Sequence, residues 1–148
     1  MITKSEMIPL LLEACPSFAP RWQTFVEERQ GKVDLPHYLI FGDLVRHLSA
    51  QLKGGQTSEI SAFFQGVERL ILEGDEYVSE AAVVWILEDL QNPALHSGTK
   101  PEQFVPYLGE DSKYWWTKVE RFWQTGELIA DDRQKDTAEI RWPKQRGH

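Results

Sequence analysis

The sequence predicts an all-α single domain over residues 1–126: a bundle of about six helices around a central apolar helix, followed by a polar C-terminal tail over 127–148. Three observations carry that prediction. Residues 81–87 (AAVVWIL) are seven consecutive apolar positions, with Asp75, Glu76 and Glu80 before them and Glu88 and Asp89 after. A helix that is apolar nearly all round has to be covered on most of its faces, and the run is too short to span a bilayer. Elsewhere, apolar residues recur at the three- and four-residue spacing of an amphipathic helix. Between those stripes stand the prolines and glycines that start and stop helices. A buried strand competes for 81–87, because Val83, Val84, Trp85 and Ile86 also suit a sheet. The length of the flanking pattern, with no turn residue inside it, favours the helix.

The elements follow in order. Thr3 and Glu6 have capping-box spacing, Ile8, Leu11 and Leu12 form a stripe, and Pro16 ends the first helix. Pro20 opens the second, where its missing N–H costs nothing; Trp22, Phe25 and Val26 share a face, and Gly31 is placed to cap it. Pro36 starts a third helix carrying Phe41, Leu44, Val45, Leu48 and Leu52 on one stripe. Thr57 or Ser58 caps a fourth, with Ile60, Phe63, Phe64, Val67, Leu70 and Ile71 inward. Glycines inside these helices, Gly42 and Gly66, suggest close approach of neighbouring helices. Gly74 stops the fourth helix and Asp75 caps the central one. Asn92-Pro93 breaks the chain, Pro101–Leu108 makes at most a short helix, and Asp111 or Ser112 caps a final strong helix ending at Gly126. Trp115, Val119 and Phe122 fall on one side of it, Trp116 and Trp123 on an adjacent strip. Neighbouring Trp115 and Trp116 diverge around the helix, so a partly exposed tryptophan is expected. In the tail, ELIADD suits a short strand or packed turn, and Trp142 is the group able to dock the rest.

Six Trp, seven Phe and four Tyr in 148 residues point to a core dominated by aromatic packing. The net charge is −7, from 23 acidic and 16 basic residues. The tail carries equal numbers of each sign, so the whole excess belongs to residues 1–126. Acidity on this scale argues against a nucleic-acid binder and against an anionic membrane surface. It suits either plain solubility or a basic protein partner steered in by complementary charge. The single cysteine, Cys15, permits no internal disulfide and is expected to be a buried, inert thiol. With no signal-peptide pattern at the N-terminus, the expected location is cytoplasmic.

The most site-like stretch is FGDLVRHL (41–48). Asp43 and His47 stand four apart on one helix face, with Arg46 three from Asp43. Such a pair could orient a general base or contribute to a metal site. The plainer alternative is an exposed face with local ion pairing. A metal needs three or more ligands, and neither His37 nor His96 supplies a ligand spacing, so no metal or cofactor is expected. Glu88 and Asp89 diverge by about 100° around a helix and do not form a paired-carboxylate site. No nucleophile elbow, Ser-His-Asp context or metal-binding Cys pair is present.

FGDLVRHL, with FFQGVERLILEGDEYVSEAAVVWILEDLQN after it, resembles a family of small, uncharacterised, helical bacterial proteins over about residues 36–92. PEQFVPYLGEDSKYWWTKVERFW is similar to the ending of such proteins. Members of this kind look similar to immunity proteins of bacterial toxin systems: small, acidic, cytoplasmic and without catalytic motifs. The resemblance implies no assignable functional residue. The function expected is therefore an acidic protein-binding module without enzymatic activity, most concretely an immunity protein neutralising a basic toxin domain. Its expected contact residues are Asp43, Asp75, Glu76, Glu88, Asp89, Asp111, Trp115, Trp116 and Trp123. Two alternatives stand beside it: a small-ligand binder or hydrolase-like enzyme using Asp43, His47 and Glu88, and an adaptor that self-associates through exposed aromatics. The sequence leaves the oligomeric state open.

Overall fold

The computed structural model describes residues 1–29, 37–131, 133 and 141–142, with positions 37, 38, 141 and 142 described by their backbone. The fold is all-α. Its helices are α1 (Lys4–Ala14), α2 (Ala19–Glu28), α3 (His37–Lys53), α4 (Ser58–Glu73), α5 (Glu76–Ala81), α6 (Glu88–Leu90) and α7 (Glu110–Thr125). Between α5 and α6 the helix continues without interruption through a π-helical segment, Ala82–Leu87. Short 3-10 turns occupy Pro16–Phe18, Pro93–Leu95 and Pro101–Tyr107. A two-residue antiparallel pairing joins β1 (Ile129–Ala130) to β2 (Arg141–Trp142). No helix among the described residues is long and apolar enough to cross a membrane.

The apolar run is the centre of the bundle. Val83, Val84, Ile86 and Leu87 are all at most 2% exposed. At roughly 1.5–3 kcal/mol for each such side chain, their burial alone is comparable to the net stability of a domain. Helices α3, α4 and α7 pack against the π-helical segment. Trp85 is partly buried, with Phe41 and Tyr77 at ring-centroid distances of 6.3 and 5.7 Å. The wider π turn accommodates a stretch in which nearly every side chain faces protein, a setting that a one-sided amphipathic helix does not meet.

Junctions are held by polar contacts. At the α4–α5 corner, Asp75 Oδ1 accepts from the Val78 N–H at 2.9 Å, the N-cap expected of it. The first strand-like residues lock onto the same corner: Ile2 N–H donates to Glu73 O (2.8 Å) and Asp75 N–H to Ile2 O (2.9 Å). At α1, Glu6 accepts from both the N–H and the hydroxyl of Thr3. The capping box expected of Thr3 and Glu6 is present. The Gln91 amide crosses from α6 to donate to Trp116 O of α7 at 2.9 Å. His96 ties down the following loop, with Nε2–H donating to Leu90 O (2.8 Å) and the Thr99 hydroxyl at Nδ1 (2.8 Å). A carbonyl can only accept, so Nε2 carries a proton. Thr99 in turn meets the buried Ser49 of α3.

Three sequence expectations need correction. Helix α7 begins at Glu110 with Gly109 as N-cap, and its capping group comes from another helix. Glu68 of α4 accepts from the N–H groups of Asp111 (2.9 Å) and Ser112 (2.8 Å) and from the Ser112 hydroxyl (2.7 Å). A Cβ at Gly109 would lie 2.5 Å from the Glu68 carboxyl carbon, so glycine is what lets the carboxylate in. Of the two interior glycines, Gly66 does admit a neighbour, Leu10 of α1 at 3.1 Å, whereas a Cβ at Gly42 would make ordinary contacts at 3.9 Å. Trp115 and Trp116 are both buried, at 3% and 4% exposure. The core and the Gln91 bond take Trp116, while the segment after α7 folds back over Trp115, with the Arg133 guanidinium 5.6 Å from its ring. The expected cap at Gly31 and helix start at Pro36 fall outside the described residues.

Replacing Glu68 with Ala is expected to cost about 1–2 kcal/mol, the worth of a helix cap, measured by urea denaturation. Gly109→Ala is expected to destabilise the native chain more than it destabilises the Glu68→Ala chain. Equal costs in the two backgrounds would show that the carboxylate is not what Gly109 accommodates.

Candidate functional site

The densest polar cluster joins three helices at the closed end of α1. Cys15 is the C-cap of α1, with its N–H donating to Leu11 O at 2.9 Å. Pro16 cannot continue the helix, and the 3-10 turn it starts brings Ser17 back toward α3 and buries Phe18. His47 and Gln51 stand four apart on α3 and so share a face. Glu59 lies in the first turn of α4, where the helix N-terminus favours a carboxylate.

Glu59 is the acceptor around which the cluster is built. Its Oε1 takes the Cys15 thiol (3.2 Å), the Gln51 amide (2.7 Å) and the Ser17 hydroxyl, and its Oε2 takes the Ser17 N–H (3.3 Å). Ser17 has one hydroxyl proton, and Glu59 receives it. The 2.7 Å contact between Ser17 Oγ and His47 Nε2 therefore runs the other way, with His47 Nε2–H donating. The second amide proton of Gln51 also goes to Ser17 Oγ, at 3.0 Å. Gln51 Oε1 is buried and has no hydrogen-bond partner among the described residues.

Titration behaviour follows from this wiring. Burial alone would raise the Glu59 carboxyl, but the bonds donated by Ser17, Gln51 and Cys15 outweigh it and hold the group at about 2. Burial, reinforced by the neighbouring Glu59 charge, pushes the Cys15 thiol up to about 12. Burial against Phe18 and its surroundings lowers His47, against an opposing pull from Glu59. These states do not make a nucleophile. In a hydrolytic triad the imidazole stands between serine and acid; here the serine stands between imidazole and acid. The thiol keeps its proton at neutral pH, and a carboxylate at about 2 is a poor base.

The residues expected from sequence are spread over the molecule. Asp43 is bound by Arg21 (2.5 Å) and Arg46 (3.2 Å), while His47 turns to Ser17, so the two do not act as a pair. Asp75 caps the central helix. Asp111 accepts from Arg133 at 2.8 Å, and Arg133 also stacks over Tyr114 at 4.0 Å. Glu76 is exposed at one end of the central helix and Glu88 and Asp89 half-buried at the other. At about 1.5 Å per residue, roughly 18 Å separates Glu76 from Glu88 along the helix. Trp115 and Trp116 are interior, and Trp123 is half exposed. His37 falls among residues whose side chains are not described. What the sequence did not reveal was the partnership of His47 with Cys15, Ser17 and Glu59. Glu59 lies 42 and 44 positions from Ser17 and Cys15. The i, i+4 pair His47–Gln51 was the one local trace of it.

Acid should weaken the fold through this cluster. Glu59 is depressed from an ordinary 4.5, so its contribution is complete above that value and lost as pH falls toward about 2. His47 is depressed below 6.5, so its contribution also declines as pH falls below that value. Glu59→Gln is expected to cost about 1–3 kcal/mol at neutral pH and to flatten the acid limb of stability against pH. An unchanged acid limb in denaturation curves would place the acid sensitivity elsewhere. Cys15 in the native chain should react with a thiol reagent near neutral pH only at the rate of unfolding; reaction at the free-cysteine rate would contradict its burial.

Residues 8–124 match the family model described as Domain of unknown function (DUF7674). No curated protein and no solved structure matches the chain. The matched span takes in the whole Cys15–Glu59 cluster, the Glu68 cap and Trp123. With more than half of its length inside that match, the chain belongs to the DUF7674 family, whose function is unknown.

Proposed function

We propose that the chain is an acidic protein-binding module anchored at Trp123, most concretely an immunity protein that neutralises a basic toxin domain by covering its functional surface. One observation carries this reading. Trp123 is 50% exposed on α7, a helix whose other two tryptophans are buried. A large aromatic left at the surface loses apolar burial that a partner can supply, and tryptophan is the residue type most enriched at interface hot spots. Leu128, just beyond the helix end, is also exposed. Glu120 precedes Trp123 by one turn, and Glu127, which pairs with Arg121 at 3.7 Å, follows the Gly126 cap; both glutamates are exposed. That places an apolar centre beside carboxylates, the arrangement that draws in a basic partner through charge and holds it through the ring.

The alternative of chemistry at Asp43 and His47 has weaker support, since each side chain is committed to a different partner. A pull-down from the native host with the full chain as bait tests the class: a basic protein recovered one-to-one supports it, and recovery of no protein overturns it. Against that partner, Trp123→Ala is expected to cost about 2 kcal/mol or more of binding with an unchanged circular dichroism spectrum. Glu120→Gln and Glu127→Gln are expected mainly to slow association and reduce its salt dependence. Native affinity in the Trp123→Ala chain would remove Trp123 as the anchor.

A further inference from the structure

The Cys15 cluster supplies a different kind of site from the surface around Trp123. Cys15 Sγ, a His47 ring nitrogen and a Glu59 carboxylate oxygen all lie within 4.8 Å of one another, and His47 Nε2 is the nitrogen that faces Ser17. They come from three separate helical elements, so the fold, and not a local motif, assembles them. We propose that Cys15, His47 and Glu59 form a binding site for a divalent transition metal ion of the zinc class, clamping the end of α1 to α3 and α4.

The donor set is chemically selective. Thiolate and imidazole favour zinc, cobalt and related ions and disfavour magnesium and calcium, which take all-oxygen ligands. A tetrahedral zinc ion with bonds of about 2.0–2.3 Å holds its ligand atoms roughly 3.3–3.7 Å apart. Cys15 Sγ and Glu59 Oε1 already stand 3.2 Å apart. His47 and Glu59 are each partly open to solvent, which gives an ion a way in, while Cys15 is fully buried behind them. Three protein ligands leave a fourth position for water or for the Ser17 hydroxyl, which bonds to both His47 and Glu59.

A second observation points to the same place. Gln51 is 8% exposed, and its Nε2 binds both Ser17 and Glu59, yet Oε1 on the same carbon is buried without a partner. A buried acceptor left unmade is costly. A water on the fourth metal position would bring protons to donate into a cluster whose Gln51 amide holds an unused acceptor. Binding requires three changes that balance. The Cys15 thiol proton leaves to solvent, His47 moves its proton from Nε2 to Nδ1, and the ionised Glu59 exchanges donated hydrogen bonds for the metal.

The test uses the full chain, treated with a chelator and titrated with Co²⁺ and then Zn²⁺. The expected result is one equivalent of Co²⁺, with a thiolate-to-cobalt charge-transfer band in the near ultraviolet, visible bands of a four-coordinate ion, and displacement by Zn²⁺. Zn²⁺ should also raise the thermal midpoint of the native chain, a readout that needs no variant. Cys15→Ala should lose the charge-transfer band. His47→Gln and Glu59→Gln should each weaken binding by roughly tenfold or more, and Asp43→Asn, on the same helix, should leave it unchanged. Circular dichroism of each metal-free variant separates loss of a ligand from loss of the fold. Absence of stoichiometric Co²⁺ binding to the folded native chain, or a charge-transfer band that survives in Cys15→Ala, would overturn the proposal and leave the Trp123 reading untouched.

Discussion

Covering the central helix is the constraint on which the rest of the structure depends. Seven consecutive apolar residues leave it almost no solvent face, so α3, α4 and α7 must each contribute a wall. This explains why three amphipathic helices with otherwise unremarkable stripes end up around one axis. It also explains where charge is allowed. Asp75 and Glu76 before the run, and Glu88 and Asp89 after it, stand where the helix emerges from its neighbours. Asp75 turns that position to structural use by capping the helix it precedes.

A second layer of organisation is polar and belongs to α4. Two of its glutamates, Glu59 and Glu68, are nine residues apart, which at 3.6 residues per turn sets them about 180° apart around the helix. One reaches the end of α1 and the face of α3; the other reaches the start of α7. Each accepts from backbone and side-chain donors of neighbouring elements. The apolar stripe of α4 thus covers the core while its two carboxylates pin neighbours on either side. Orientation between helices is set more sharply by such directional bonds than by apolar packing, which tolerates sliding and repacking.

Local signals were strong where one residue type has one physical use. The periodic stripes of α3 and α4, the stop at Gly74, the cap at Asp75 and the left-handed Gly126 that closes α7 are all of this kind. The signal failed where a second partner decides. Ser112 and Asp111 have the chemistry of caps, yet the cap of α7 is Glu68, because the arriving carboxylate accepts several donors at once. Trp115 and Trp116 diverge around their helix as the sequence requires, and still both are buried, because protein lies on both sides of α7. Asp43 and His47 share a helix face, but Arg21 from α2 and Ser17 from the turn after α1 claim them separately.

The sequence by itself determined the all-α class, the central apolar helix and most helix boundaries. Those rest on periodicity, on an apolar run that must be hidden, and on residues with restricted backbone choices. The tertiary structure alone decided which polar groups meet. Cys15, Ser17, His47, Gln51 and Glu59 converge because the turn at Pro16 folds the end of α1 onto α3 and α4. No spacing along the chain encodes the meeting of the Cys15–Ser17 turn with the other three, since a hydrogen bond depends on the distance between two side chains in space, and tens of residues separate that turn from His47, Gln51 and Glu59.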